Sequence, residues 1–371
     1  MEIAYFLLSI IVIITSASLL GKVFSKLKQP ALVGELLAGM ILGPSLLGLI
    51  HTEQSFGIIT SIAVFFLMLL AGFEMNLKEI KKVGKSAIII SLISFTIPFL
   101  LGTQVASAFG LPIVQSLFMG LVLSITAVPV SAIILREFGI LKSKIGNTVM
   151  TSAILNDIFA IVVLGIILSL HVNSDSNTDV STIGYSIAEV LIFIGVFFAG
   201  IILGKVFPNK ESSRVCEKFS SLIFALFGPL FFGLMGIKFN ISSIFEMIPL
   251  FVILLVAAIA TKIAGGFIGA KITKFSNNDS FAIGALMNGR GMVGIAIASI
   301  GLTVGILDIG LFSIAIAIGF ATTISAPLLA RSSINKLKAV EKTNYAEKTE
   351  DQIEEKNNTT ETALNEINVI S

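Results

Sequence analysis

Apolar runs of about twenty residues recur along the chain and are separated by short polar loops. A run of this length can cross the hydrocarbon core of a bilayer as an α-helix. Eleven such runs predict eleven transmembrane helices, at 3–24, 31–50, 56–75, 86–108, 112–135, 146–171, 183–206, 216–237, 245–274, 279–302 and 308–331. The pattern therefore predicts an all-α, polytopic membrane protein.

Composition divides the chain into two parts. The sequence as a whole is 55% hydrophobic and 13% charged, which is typical of a membrane protein. We assign residues 1–333 to one transmembrane domain and residues 334–371 to a polar tail that is predicted to be disordered. The net charge of +2 is spread over the loops, so we expect the lipid bilayer, and no nucleic acid, as a partner.

The distribution of Lys and Arg predicts the orientation in the membrane. Each loop after an odd-numbered segment carries two to four of these residues, whereas the loops after even-numbered segments carry at most one, Lys238. Cytoplasmic loops are enriched in Lys and Arg. We therefore expect the N-terminus outside and the C-terminus in the cytoplasm. The first segment lacks a basic start, so we interpret it as a retained helix rather than a cleaved signal peptide.

Asp157 lies near the middle of segment 146–171, with no other charge between Lys144 and Asp175. At ~1.5 Å per residue, this position is close to the bilayer midplane. A charged side chain there costs at least ~2.5 kcal/mol and is by default functional. We predict that Asp157 binds an ion or a proton; a purely structural ion pair is the alternative.

Two cations lie at a similar depth in other segments. Lys262 is in the middle of the ninth segment and Arg290 in the middle of the tenth. Because isolated buried charges are costly, we expect pairing between these cations and Asp157. Glu74, by contrast, closes the third segment at the predicted cytoplasmic edge, where we expect a structural pair.

Two segments are predicted to break at mid-membrane. Pro129 removes a backbone donor in the fifth segment, close to the hydroxyl of Thr126, and Gly289 and Gly291 flank Arg290 in the tenth. Apart from the first segment, the chain forms two groups of five, and the broken helix is the fourth of each group. Five is an odd number, so the second group would be inverted. Inverted five-helix repeats with crossed, broken helices are typical of secondary transporters.

Evidence for an enzyme or a nucleotide-binding protein is weak. The GxGxxG pattern at 289–294 follows no strand, and the chain has no Walker lysine loop. Cys216 is the single cysteine, and the two histidines lie far apart, so no zinc site is indicated. An intramembrane hydrolase would need a second aspartate or a Ser-Lys pair; Ser152 and Lys262 alone do not indicate one. We expect no cofactor.

Six short motifs follow one another between about Lys28 and Arg331: PALVGELLAGMILGP at 30–44, LAGFE at 70–74, TAVPV at 126–130, LND at 155–157, GPLFF at 228–232 and NGRG at 288–291. Their order resembles that of the monovalent cation:proton antiporters, in particular the Kef-type and NapA/GerN-type sodium or potassium/hydrogen exchangers. The resemblance implies a NapA/NhaA-like antiporter fold in the cytoplasmic membrane of a bacterium. It also implies a homodimer, in which a core bundle moves against a dimerisation scaffold.

The resemblance assigns roles to individual residues. Asp157 would bind the transported alkali cation and the proton alternately beside the crossed helices. Lys262 would pair with this ion-binding site, and Arg290 would hold the crossed helices together. Thr126, Asn156 and exposed backbone carbonyls would supply further, uncharged oxygen ligands.

The chain departs in three ways from the family that it resembles. Two spans that the family usually has between the Asp157 helix and the Pro229 helix are not found. Asn156 stands where many relatives have a second acid, as in electroneutral members, and Met292 stands where many have Glu.

The function expected is exchange of Na⁺ or K⁺ for H⁺ by alternating access, one for one. Two alternatives stay open at this point. One is a transport-inactive homologue that acts as a sensor or partner subunit. The other is a sodium-coupled symporter of organic anions.

Overall fold

The computed structural model of the chain describes residues 2–27, 29–51, 55–73, 84–141, 143–174, 192, 195–204, 210–331 and 333–334. Within these residues the chain is helical. The helices are α1 (Glu2–Lys26), α2 (Ala31–Leu42), α3 (Ser55–Phe73), α4 (Lys85–Ala108), α5 (Ile113–Ser124), α6 (Val128–Glu137), α7 (Lys144–Ser174), α8 (Gly195–Gly204), α9 (Lys210–Lys238), α10 (Ile241–Glu246), α11 (Ile248–Ile272), α12 (Asn277–Leu286), α13 (Met292–Thr303) and α14 (Ile309–Arg331).

The prediction of an all-α, polytopic membrane protein is confirmed. Among the described residues, 7 helices are long and apolar enough to cross a membrane, and four shorter apolar helices accompany them. The exact number of eleven spans and the inverted repeat stay predictions. The polar tail from residue 335 onwards lies outside the described residues, as does Glu74.

The second predicted segment differs from the structure. We expected a helix over 31–50, but α2 ends at Leu42. Pro44 disfavours helical backbone at the residue before it, and Gly43 is accordingly extended, with φ −76° and ψ 178°. The chain then turns back, and the amides of Leu49 and Ile50 each donate to the carbonyl oxygen of Leu42 at 3.0 Å.

One group of helices, which we call the scaffold, consists of α1, α2, α3, α8 and α9. Within it, α2 packs against both α1 and α9, and α3 packs against α9. Glycines allow the closest approaches: a Cβ atom on Gly39 would lie 2.0 Å from the carbonyl oxygen of Gly233, and one on Gly72 would lie 2.0 Å from that of Phe197. Small residues at such crossings are typical of helices packed in lipid.

The second group, which we call the core, consists of α4 to α7 and α11 to α14. Helix α4 packs closely against α5 and α11, while α7 contacts α4, α5 and α6. A Cβ atom on Gly266 would lie 2.6 Å from the Cα atom of Gly284, so α11 and α12 also touch through their backbones. The core meets the scaffold where α13 contacts α3. This arrangement surrounds the two helix breaks with buried side chains.

Candidate functional site

The two helix breaks meet inside the core. The unwound segments are 125–127, between α5 and α6, and 287–291, between α12 and α13. The amide of Ala127 donates to the carbonyl oxygen of Gly289 at 2.9 Å and so joins the two segments. Both interruptions expected from the sequence are therefore present, and they form one site.

Glycine is required where the segments cross. A Cβ atom on Gly289 would lie 2.6 Å from Val130 Cγ1, and one on Gly291 would lie 2.6 Å from the Cβ atom of Ala127. Both distances are far below van der Waals contact. Any larger residue would push the unwound segments apart.

Backbone carbonyls freed by the breaks must find donors inside the protein, because lipid offers none. The hydroxyl of Ser131 on α6 donates to the carbonyl oxygen of Leu286, the last residue of α12, at 3.0 Å. The hydroxyl of Thr323 on α14 donates to the carbonyl oxygen of Arg290. Hydroxyl side chains of the core thus hold the second unwound segment in place.

Two buried cations cap the C-terminal end of α5. Arg290 is 2% exposed and donates from Nε to Val122 O at 3.3 Å and from Nη2 to Leu123 O at 2.6 Å. Lys262 is 0% exposed, and its ammonium group donates to the carbonyl oxygen of Ser124. The end of a helix carries a partial negative charge. Both cations therefore lie where the dipole of the half-helix favours them.

Asn156 links Lys262 to the first unwound segment. Its amide oxygen accepts from Lys262 Nζ at 3.3 Å and from Thr126 Oγ1 at 3.0 Å, while its amide nitrogen donates to Ser91 O at 3.0 Å. This orientation is assigned because the opposite one would direct the NH₂ group at the ammonium. Lys262 Nζ also donates to Ser94 O at 3.1 Å. The ammonium is thus held by three acceptors, one each from α4, α5 and α7.

Asp157 follows Asn156 on α7 and is 6% exposed. Its Oδ1 atom is buried and has no hydrogen-bond partner in the described part of the chain. The charge of Lys262 acts on Asp157, but the described residues include no ion pair between them. A buried carboxylate oxygen without a donor is unfavourable unless a proton or a cation binds to it.

Most of the residues selected from the sequence lie together. Thr126, Asn156 and Lys262 are joined by hydrogen bonds, and Asp157 is adjacent to them. The direct pairing expected between Asp157 and a cation is not formed, because Lys262 and Arg290 donate to backbone carbonyls instead.

Sequence reasoning missed the carbonyl of Ser94 on α4. Its signal in the sequence is Pro98, four residues further along the same helix.

The chain is similar to known proteins along most of its length. The family model described as "Sodium/hydrogen exchanger, transmembrane" matches residues 11–209 and 186–331. The chain belongs to this exchanger family. Its members are monovalent cation:proton antiporters, as the sequence motifs indicated, so the protein is a multi-pass membrane transporter rather than an enzyme.

Individual relatives of the exchanger family have similar lengths. The Na(+)/H(+) antiporter of Enterococcus hirae is 28% identical over 359 residues, covering 84% of this chain and 93% of that protein. The Na(+)/H(+)-K(+) antiporter GerN of Bacillus cereus is 28% identical over 371 residues, covering 87% and 95%. The solved sodium proton antiporter MjNhaP1 of Methanocaldococcus jannaschii superposes with a TM-score of 0.65 at 18% identity, covering 90% of this chain and 97% of that one. The last comparison shows that the two proteins share a fold.

Proposed function

We propose that this exchanger moves one Na⁺ or K⁺ in exchange for one H⁺, and that both bind in turn to Asp157. The observation that supports the proposal most strongly is the buried Oδ1 atom of this residue beside the crossed helix breaks, which has no hydrogen-bond partner among the described residues. Thr126 and carbonyl oxygens of the unwound segments are the further oxygen ligands. Relatives named as Na(+)/H(+) and Na(+)/H(+)-K(+) antiporters support this choice of ions.

Coupling follows from the cost of moving a charge through lipid. Asp157 with a proton, or with a monovalent cation, is close to neutral and can cross with the moving part of the protein. The bare carboxylate is costly to move through a medium of low polarity. Only loaded forms cross, so cation flux in one direction requires proton flux in the other.

The stoichiometry that we propose rests on Asn156. An amide neither binds nor releases a proton near neutral pH, so Asp157 is the single carboxyl group at the crossing among the described residues. One proton against one monovalent cation moves no net charge. Lys262 stays protonated in this cycle, since three acceptors hold its ammonium.

Alternating access is the movement that fits two groups of helices whose most extensive contacts lie within each group. The core carries Asp157, Lys262 and both breaks, whereas the scaffold packs through glycine contacts of its own. We propose that the core moves against the scaffold and that the scaffold forms a homodimer. The membrane is the cytoplasmic membrane of a bacterium, with the N-terminus outside.

Proton flux in proteoliposomes tests the proposal. With the wild-type protein, pulses of Na⁺, K⁺ or Li⁺ outside the vesicles should alkalinise the lumen, as reported by a trapped pH dye. Asp157→Asn should abolish this response while the protein still inserts. Asp308→Asn is the matched control, because it makes the same chemical change at an exposed position outside the site.

The outcomes separate the proposal from its alternatives. No response of the wild type to any of the three cations would favour a sensor or partner subunit. Na⁺ uptake that requires an organic anion and is not accompanied by a proton response would favour a sodium-coupled symporter. Full exchange by Asp157→Asn would show that another group carries the ions.

A further inference from the structure

A proline lies inside α4, one turn after the carbonyl that Lys262 uses. Pro98 lies inside this helix and is buried. In an α-helix the carbonyl of residue i accepts from the amide of residue i+4, and proline has no amide hydrogen. The carbonyl oxygen of Ser94 therefore lacks its usual backbone donor.

Lys262 supplies the donor that Pro98 removes. Its Nζ atom lies 3.1 Å from Ser94 O, and both residues are fully buried. Gly265, one turn from Lys262 on α11, allows the approach, because a Cβ atom there would lie 2.9 Å from the Cα atom of Ser94. Backbone contact between α4 and α11 thus brings the ammonium to a carbonyl that the proline leaves free.

We propose that Pro98 is a positioning residue for Lys262. By keeping the Ser94 carbonyl free, it holds the ammonium among Ser94, Ser124 and Asn156 and away from a direct pair with Asp157. A residue with an amide at position 98 would compete for the same carbonyl. The ammonium would then be free to move to Asp157 Oδ1 and block the place where the cation binds.

A double-mutant cycle of melting temperatures tests the hydrogen bond between Lys262 and Ser94 without measuring transport. Lys262→Met leaves the Ser94 carbonyl buried without a donor, and Pro98→Ala supplies one from the backbone. We expect Pro98→Ala to raise the melting temperature of the Lys262→Met protein by several degrees more than it raises that of the wild type. Pro229→Ala in α9 of the scaffold is the control, and its effect should be equal in both backgrounds. Pro98→Gly also restores the amide and replaces Pro98→Ala if that variant does not fold.

A transport measurement tests the consequence, which rests on the proposed function. Pro98→Ala should raise the apparent KM for the cation several-fold with little change in kcat, because the ammonium competes with the cation for Asp157. Pro229→Ala should leave KM unchanged.

The outcomes of the two measurements distinguish a failure of this inference from a failure of the proposed function. Equal effects of Pro98→Ala on the melting temperature in both backgrounds would overturn the inference, as would an unchanged KM in a protein that transports. A cycle with the expected coupling, in a protein that transports no cation, would support the role of Pro98 in holding Lys262 and count against the proposed function alone.

Discussion

Replacing Lys262 by Met removes the ammonium but keeps a side chain of similar length. The carbonyl oxygens of Ser94 and Ser124 would both lose a charged donor inside the protein. Each stranded acceptor costs about 1–3 kcal/mol, and the loss is partly offset because an ammonium no longer has to be buried. Asn156 keeps its hydrogen bond with Thr126 and adds little to the cost. We expect a net loss of about 3 kcal/mol in the free energy of unfolding.

The assay is the recovery of the monodisperse peak in size-exclusion chromatography after heating the purified protein in detergent. Lys271→Met is the matched control, since Lys271 is an exposed residue at the end of the same helix. Lys262→Met should melt well below the wild type, and Lys271→Met close to it. The exchange activity of Lys262→Met should also move to higher pH, because a positive charge that favours the ionised form of Asp157 is gone. An unchanged melting temperature would refute the hydrogen bonding described for Lys262, and an unchanged pH profile would refute its electrostatic effect on Asp157.

Two further predictions concern Asn156 and the scaffold. Asn156→Asp adds a second carboxyl group, so cation pulses should produce a current in solid-supported membrane recordings that the wild type lacks; each charge moved would be driven by ~2.3 kcal/mol per 100 mV. A wild-type current of equal size would contradict the one-for-one stoichiometry. Gly39→Ala should lower the melting temperature strongly, because its Cβ atom would lie 2.0 Å from Gly233 O, whereas Gly165→Ala should not, since nothing lies within 4 Å of its Cβ position. Equal melting temperatures for the two alanine variants would argue against the α2–α9 packing.

Features that depend only on residues close together in the sequence could be predicted. The thickness of the bilayer sets the length of an apolar run, so most helices were found close to their observed ends. Pro129 and Gly289 act on their own backbone, which is why both helix breaks were predicted. The early end of α2 was missed because hydropathy counts the apolar residues after Pro44 as part of the span.

The partners of the buried cations depend on distant parts of the chain. Desolvation predicts that Lys262 and Arg290 need acceptors, but it does not say which ones. In the folded chain, the end of α5 and the turn of α4 before Pro98 offer carbonyl oxygens in the right place. For this reason Asp157 keeps an oxygen without a hydrogen-bond partner among the described residues, which an argument from charge alone does not predict.

In the proposed mechanism, one carboxyl group binds the cation and the proton in competition. Proton release on cation binding tests it most directly, in purified protein in weakly buffered detergent solution near the pH of half-maximal activity. Addition of the transported cation should release protons from the wild type and from Asp308→Asn, in proportion to the cation bound and never more than one for each. Asp157→Asn should release none. Proton release that persists in Asp157→Asn would contradict the account.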